Sequence, residues 1–256
     1  DCTGLLRVKP GQLGKVVITL NPDGTVKENI RLIDKKSAMT MVEDPDMVKI
    51  VKEISANQAK ITETIVGKTD VKLVGDRAVV RTGESNLADL LTDAMLWKTG
   101  ADIALTNGGG IRSSIDVGDI TRGEVIQVLP FGNYVIVQEL TGADVIAALE
   151  NGTAGYPSQH GAFSQVAGIK YSFDPSKPVG QRIVSVTMAN GESIDKNKTY
   201  KVATNDFIAA GGDLYVMFKG KKVIGNYEGL DEILTAYIAS GAKAKDGVDG
   251  RVKVIN

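Results

Sequence analysis

Three consecutive glycines constrain this chain more than any other sequence feature. They lie in the segment 106–113 (TNGGGIRS), directly after the apolar residues 103–105, which are typical of a short buried strand. Glycine lets another group approach the backbone closely, and the guanidinium of Arg112 can pair two oxygens of a phosphate or carboxylate beside backbone N–H groups. The segment is neither a P-loop nor a GxGxxG fingerprint. It is therefore equally consistent with an anion cradle and with a glycine-rich turn beside a surface arginine.

Charge and residue usage exclude several classes of function. The 30 Lys+Arg and 31 Asp+Glu residues give a net charge of -1, so no overall basic charge attracts a nucleic acid polymer or an acidic membrane. Cys2 and His160 are the only cysteine and the only histidine. A disulfide within the chain is therefore excluded, and a catalytic zinc or two-metal site built from its own residues is not expected. No apolar run approaches the length of a membrane span.

The first quarter of the chain predicts a hairpin followed by a long helix. Two apolar runs within residues 11–33 flank an Asn-Pro-Asp-Gly turn, and such a hairpin needs a larger sheet to join. Asp44-Pro45 then predicts the start of a helix that runs to Gly67, either an ordinary amphipathic helix or a connector between domains. Because the sequence starts at Asp1 without an initiator Met or a signal peptide, we expect a cut inside a longer protein rather than a processed end.

From residue 70 onward, short apolar strands alternate with amphipathic helices but show no strict βαβ repeat. This pattern predicts an α+β fold, with a mixed sheet and helices packed on it. One helix is expected to be capped by Asn86 and to stop at Gly100. Further strands are predicted at 134–140, 168–173, 183–188, 200–204 and 251–255, and further helices before Pro130, at 142–150 and at 230–238.

Two arginines lie four residues apart in a region that predicts two more strands, at 71–74 and 78–80. In an extended strand this even spacing would place Arg77 and Arg81 on one face, where the two charges repel unless an anion or acid lies between them. Two ordinary surface arginines are the alternative.

Five segments resemble, in the same order, the C-terminal nucleotide-binding domain of the bacterial and animal 5′-nucleotidases, including the UDP-sugar hydrolase type. The segments are GDR at 75–77 with Arg81, GESNLADL at 83–90, NGGGIR at 107–112, LPFGN at 129–133 and NDFIAAGGD at 205–213. The resemblance extends from about residue 70 to the end of the chain. It implies the fold of that domain.

The resemblance also implies roles for individual side chains. The phosphate-binding residues would be Arg77, Arg81, Arg112 and, at the rim of the pocket, Asn107; the base-stacking residues Phe131 and Phe207; and the residues at the base edge and ribose Asn133, Gly161 and Asp213, with Asp213 on the ribose hydroxyls. These roles suit the residue types, because a planar base needs flat apolar walls, a diol needs an acceptor and phosphates need charged donors.

Other interpretations of these residues remain open. Without the resemblance, Phe131 and Phe207 would be predicted as core residues and Asp213 as a turn or cap residue. Glu84 and Asn86 are interpreted as structural, at a strand end and a helix cap. His160 is interpreted as a loop residue beside the pocket.

Three segments follow from the same resemblance. Residues 1–43 would be the last hairpin of an N-terminal metallophosphoesterase domain, 44–67 an interdomain connector helix and 68–256 the nucleotide-binding domain. In the family the N-terminal domain holds a pair of divalent metal ions of the zinc, manganese or magnesium type. That domain is missing from this sequence. No catalytic residue or metal ligand is therefore expected here, and the chain should bind a nucleotide or nucleoside without cleaving it.

Two alternatives to this interpretation remain open. One is a non-enzymatic nucleotide-binding or surface module. The other keeps the enzyme class but changes the substrate to 2′,3′-cyclic nucleotides, UDP-sugars or NAD. The family's usual place predicts a location outside the cytoplasmic membrane, in the periplasm, in the cell wall or secreted.

Overall fold

The computed structural model describes residues 12–255. Cys2 and the first eleven residues of the predicted 1–43 segment lie outside the described residues. The strands and helices, in chain order, are β1 (Gln12–Leu20), β2 (Val26–Asp34), α1 (Lys35–Ala38), α2 (Pro45–Thr62), β3 (Ile65–Thr69), α3 (Arg77–Val80), α4 (Asn86–Thr99), β4 (Ile103–Asn107), β5 (Gly118–Thr121), α5 (Arg122–Val128), β6 (Tyr134–Thr141), α6 (Gly142–Thr153), β7 (Ser164–Ala167), β8 (Ile169–Phe173), β9 (Ile183–Met188), β10 (Thr199–Asn205), α7 (Asp206–Ala209), β11 (Val223–Gly229), α8 (Leu230–Ala239) and β12 (Val252–Val254).

The chain divides into two compact units, with the boundary between Gln58 and Ala59. In the first unit, β1 and β2 form the predicted antiparallel hairpin, in which Leu20 pairs with Val26 beside the turn. Its assignment to a preceding metallophosphoesterase domain remains a prediction.

The helix predicted for residues 44–67 is shorter than expected. It ends at Thr62, and Ile65–Thr69 form β3, which pairs antiparallel with β5. β-Branched side chains at 64–66 have stiff χ1 angles that suit a strand better than a helix, and the backbone carbonyl of Thr64 accepts a hydrogen bond from the Arg122 N–H. The helical spacing of apolar residues continues beyond Thr62, where the helix ends. The predicted helix therefore included the first residues of β3.

The second unit is built around a mixed five-stranded sheet in the order β11-β6-β10-β4-β7. The pair β10–β4 is parallel, and the other three pairs are antiparallel. A smaller sheet has the order β12-β8-β9. The predicted α+β fold with a mixed sheet is confirmed.

Helices cover both faces of the larger sheet, and the side chains of β4 show why. Ala104 packs into a core with α4, α5 and α8, whereas Ile103 and Leu105 pack into a second core with α6. Successive side chains of a strand point to opposite faces, so a strand that is apolar at every position needs cover on both. None of the helices within residues 12–255 is both long enough and apolar enough to cross a membrane.

The two strands predicted around the arginine pair are wrong. Leu73 makes only an isolated bridge to Ile115, and residues 77–80 form the short helix α3. Just before this segment the backbone passes close to another part of the chain: an added Cβ at Gly75 would lie 2.0 Å from the carbonyl oxygen of Ser113. The carbonyl of Asp76 then accepts the first helical hydrogen bonds, from Val79 and Val80, in place of a second extended run.

The cap of α4 also differs from the prediction. Ser85 is the N-cap, and its side chain accepts a hydrogen bond from the backbone N–H of Ala88. Asn86 instead accepts from the Val74 N–H at 2.9 Å and donates to the Lys72 carbonyl at 2.8 Å, so it ties the helix to the preceding segment. The predicted stop at Gly100 is confirmed, with a left-handed φ of 61°.

A buried cluster of charges fastens the last strand to α4. The guanidinium of Arg251 makes ion pairs with Asp93 at 2.8 Å, with Asp249 at 2.9 Å and with Asp89 at 3.4 Å. Burial raises the pKa of Asp89 to about 7, the neighbouring Glu84 acts in the same direction, and Arg251 opposes the shift. In the unfolded chain this carboxyl has a pKa near 4, so between about pH 4 and pH 7 the folded state holds the extra proton.

We expect Asp89→Asn to remove this pH dependence. In the wild type, the stabilising contribution of the Asp89 proton is complete below about pH 4 and is lost as the pH rises through 7. The free energy of unfolding of the variant relative to the wild type should therefore increase across this window, by at most about 1.4 kcal/mol per pH unit. Urea unfolding of both proteins at several pH values between about 4.5 and 7.5 measures this difference in the free energy of unfolding. A constant difference would contradict the protonated Asp89.

Candidate functional site

The sheet topology brings four segments that are distant in sequence to one edge. Because β4 and β10 are parallel neighbours, their carboxyl ends at Asn107 and Asn205 lie side by side. The strands β6 and β7 run antiparallel to them, with Val135 opposite Asn205 and Ser164 opposite Asn107. The loops before β6 and β7 therefore meet the segments that follow β4 and β10.

These segments enclose a cleft of about 380 Å³, a size typical of small-molecule sites. It contains every site residue predicted from the sequence except Arg77, whose Nε instead donates to Gln159 Oε1 at 3.1 Å. The lining residues are Arg81, Asn107, Gly109, Gly110, Arg112, Phe131, Asn133, Gly161, Phe207 and Asp213.

The glycines of this segment allow close packing of the backbone and do not present a row of unpaired N–H groups. The Gly108 N–H donates to the Phe163 carbonyl at 2.8 Å, and the Gly109 N–H donates to the Gly161 carbonyl at 2.7 Å. An added Cβ at Gly108 would lie 1.8 Å from the Val80 carbonyl oxygen. The backbone N–H groups of Gly108 and Gly109 are therefore not available to an anion, and Arg112 supplies a charged donor in this segment.

The arginines leave an excess of positive charge at the cleft. A spacing of four residues across the α3 turn keeps Arg77 and Arg81 on one side, as it would in a strand. Burial lowers the pKa of the Arg81 guanidinium, the charges of Arg77 and Arg112 lower it further, and Asp213 opposes them. The Arg81 Nε is buried without a hydrogen-bond partner among residues 12–255. An anion bound in the cleft would relieve the repulsion among the three guanidinium groups.

Two aromatic rings are exposed in the same cleft. Phe131 is 59% exposed and Phe207 is 44% exposed, so neither is a core residue. The Arg112 guanidinium carbon lies 5.6 Å from the centre of the Phe131 ring. A Cβ on Gly212 would lie 2.5 Å from the Phe207 ring, so only glycine leaves room for that ring. Exposed aromatic rings in a concave site are ready to stack on a flat ligand.

A chain of hydrogen bonds fixes the carboxylate of the cleft. Asn205 Nδ2 donates to Asn107 Oδ1 at 3.2 Å, and Asn107 Nδ2 donates to Asp213 Oδ2 at 2.8 Å. Asp213 and Leu214 have left-handed φ angles of 48° and 64°, which are costly for residues other than glycine. Asn151 Nδ2 donates to the Asp213 carbonyl at 3.0 Å and helps to hold this backbone. Asn107 thus uses both ends of its carboxamide to orient Asp213.

Sequence reasoning missed Asn205 and Asn151. Asn205 opens one of the five matching segments, and that position was the available signal. Asn151 lies in the last turn of α6 and carries no sequence signal for this role. His160 lies in the loop before β7, as predicted, and its backbone N–H donates to the Arg81 carbonyl at 3.2 Å.

No group of three or more His, Cys, Asp or Glu side chains between residues 12 and 255 is arranged to hold a metal ion. The divalent metal pair implied by the resemblance therefore has no ligand set in this part of the chain.

Comparison with known proteins gives consistent matches along the chain. A family model described as 5′-nucleotidase, C-terminal domain, matches residues 65–220. The trifunctional nucleotide phosphoesterase protein YfkN of Bacillus subtilis is 39% identical over 258 residues, which cover 95% of this chain and 17% of YfkN. The cell wall protein Lmo0130 of Listeria monocytogenes is 30% identical over 233 residues, which cover 85% of this chain and 29% of that protein.

A solved structure agrees with these matches. The crystal structure of a 5′-nucleotidase precursor from Thermus thermophilus has a TM-score of 0.77 and 36% identity, and the match covers 96% of this chain and 50% of that chain. This chain thus spans half or less of the length of each of these proteins. Because the family model matches more than half of its residues, the chain belongs to the 5′-nucleotidase C-terminal domain family.

Proposed function

We propose that this chain is the nucleotide-recognition domain of a 5′-nucleotidase-type phosphoesterase. The observation that carries the proposal is the combination, around one cleft, of two exposed phenylalanines with an excess of guanidinium groups. A nucleotide is the ligand class that needs both, because its base is flat and apolar on its faces and its phosphates are anionic.

Each part of the ligand has a matching group. The base stacks on Phe131 and Phe207. The ribose hydroxyls donate to Asp213, whose carboxylate is already oriented by Asn107. The phosphates pair with Arg81 and Arg112, which line the cleft, and with Arg77 once its side chain leaves Gln159. Asn133 and Gly161 border the base.

We assign hydrolysis to a two-metal domain that this sequence does not contain. The relatives are much longer than the chain, which leaves room for such a domain in them. The name of the Bacillus relative supports nucleotide phosphoesters as the substrate class. The Listeria relative, named as a cell wall protein, supports a location outside the cytoplasmic membrane.

Titration calorimetry with AMP and with adenosine tests this function. We expect AMP to bind more tightly than adenosine, because only AMP engages the guanidinium groups, and we expect the difference to shrink as salt screens the phosphate contacts. The chain alone should release no phosphate from AMP, with or without added zinc or manganese. If neither ligand binds, the proposed nucleotide site is wrong. Measurable phosphate release would contradict the proposal that this chain binds the nucleotide and another domain hydrolyses it.

A further inference from the structure

We infer that Asp206 sets the hydrogen-bonding polarity of the cleft by fixing the carboxamide of Asn133, so that the site selects flat heterocycles that present an N–H donor to Asn133. The inference deepens the proposed function and rests on it, because it requires that a heterocycle occupy the cleft between the two phenylalanines.

The orientation of Asn133 follows from the chemistry of its partner. Asn133 Nδ2 lies 2.6 Å from Asp206 Oδ1. An ionised carboxylate can only accept hydrogen bonds, so the amide nitrogen of Asn133 must be the atom that faces it. Asn133 Oδ1 is then turned away from Asp206. The backbone of Asn133 is also held, because its carbonyl accepts the Leu230 N–H at 2.8 Å.

The oxygen of this carboxamide is free to meet a ligand. Asn133 is half-buried and lines the cleft, yet its Oδ1 has no hydrogen-bond partner in the part of the chain that the structure describes. A half-buried acceptor without a donor loses part of its hydration and gains from a ligand N–H. The cleft therefore offers an acceptor at this point.

Asn133 and Asp206 lie close in sequence to the two exposed phenylalanines. Asn133 follows Phe131 by two residues, and Asp206 directly precedes Phe207. The hydrogen bond between Asn133 and Asp206 therefore joins the two segments that carry the rings. The edge of a heterocycle stacked on these rings meets Asn133 where the two segments come together.

An acceptor at Asn133 Oδ1 discriminates among heterocycles by whether they carry an N–H donor. Adenine carries an exocyclic amino group, and guanine, hypoxanthine and uracil carry a ring N–H, so each can donate to Asn133 Oδ1. Purine without the amino group has only acceptors on its edge. A site that offers a partly buried acceptor rejects an analogue without the donor, since the Asn133 oxygen is then left unpaired.

The test compares AMP with purine riboside 5′-monophosphate, which differs only by the missing amino group. Calorimetry on the wild type should give at least about tenfold tighter binding of AMP. In Asp206→Asn the carboxamide of Asn133 is no longer forced into one orientation, and the preference should fall below about threefold. Asp119→Asn is the matched control, because Asp119 is exposed on β5 and outside the cleft, and it should keep the wild-type preference.

Asn133→Ala provides an independent variant. It removes the acceptor while leaving Asp206 in place, and the preference should again disappear. Equal binding of both nucleotides by the wild type, or a full preference retained in Asp206→Asn, would overturn the inference while leaving the nucleotide site intact. Binding of neither nucleotide by the wild type would overturn the proposed function, and this inference with it. Thermal unfolding of each variant confirms that it is folded.

Discussion

Replacing Arg112 with alanine is expected to weaken AMP binding by about 10- to 100-fold and to leave adenosine binding nearly unchanged. A hydrogen bond to a charged group contributes about 1.5–3 kcal/mol, and each 1.4 kcal/mol corresponds to about tenfold in affinity. Arg112 is exposed at the cleft, and within residues 12–255 its side chain makes one hydrogen bond, to the Gly109 carbonyl at 3.3 Å. Its loss should therefore remove a ligand contact with little effect on folding.

Two further variants separate geometry from charge. Arg112→Lys keeps the positive charge but loses the planar fork, so its affinity for AMP should lie between those of the wild type and Arg112→Ala. Lys222→Ala removes one exposed charge that pairs with Glu139, toward the other end of β6, and it should bind AMP as the wild type does. Equal AMP affinity in wild type and Arg112→Ala would remove Arg112 from the phosphate site.

The sequence predicted those parts of the fold whose signal is local. The apolar residues 103–105 correctly indicated β4, and the i, i+3, i+4 pattern that ends at Gly100 correctly indicated α4. Alternation along residues 134–140 indicated β6. In each case the side chains that meet the core recur at the period of the element itself, so a short window contains the necessary information.

The errors lie where tertiary contacts decide. Residues 77–80 have the composition of a strand, but they form α3, directly after the close contact of Gly75 with Ser113. The strand β11 was not predicted, because its pairing with β6 is interrupted by register shifts and its side chains are largely exposed. No periodic apolar face marks such an edge strand.

The same distinction applies to the candidate site. The residues that the structure gathers into the cleft, apart from Gly161, could be named from the sequence because the matching segments contain them. The bonds from Asn107 to Asp213 and from Asn133 to Asp206 could not be predicted, since they join segments 106 and 73 residues apart. The first depends on the parallel pairing of β4 with β10 and the second on the antiparallel pairing of β6 with β10, which only the folded sheet specifies.

Replacing Phe131 or Phe207 with leucine is expected to weaken adenosine binding by about tenfold each, with less effect on inorganic phosphate. Base stacking on an aromatic ring contributes about 1–3 kcal/mol per base. Leucine keeps an apolar side chain but removes the flat surface, so the variants isolate stacking from hydrophobic contact. Both rings are exposed, and their replacement should not open a core cavity. Calorimetry with adenosine and with phosphate measures the two effects separately.

The control for exposed aromatic surface is Trp97→Leu. Trp97 is 50% exposed near the end of α4 and packs against Tyr237, outside the cleft, so its replacement should leave adenosine affinity unchanged.

The double variant Phe131→Leu/Phe207→Leu distinguishes two rings that stack on one base from two unrelated contacts. If both rings stack on the same base, the loss of one loosens the base against the other, and the combined loss should differ from the sum of the single losses. Strict additivity, or adenosine affinity unchanged in either single variant, would contradict a base held between the two rings.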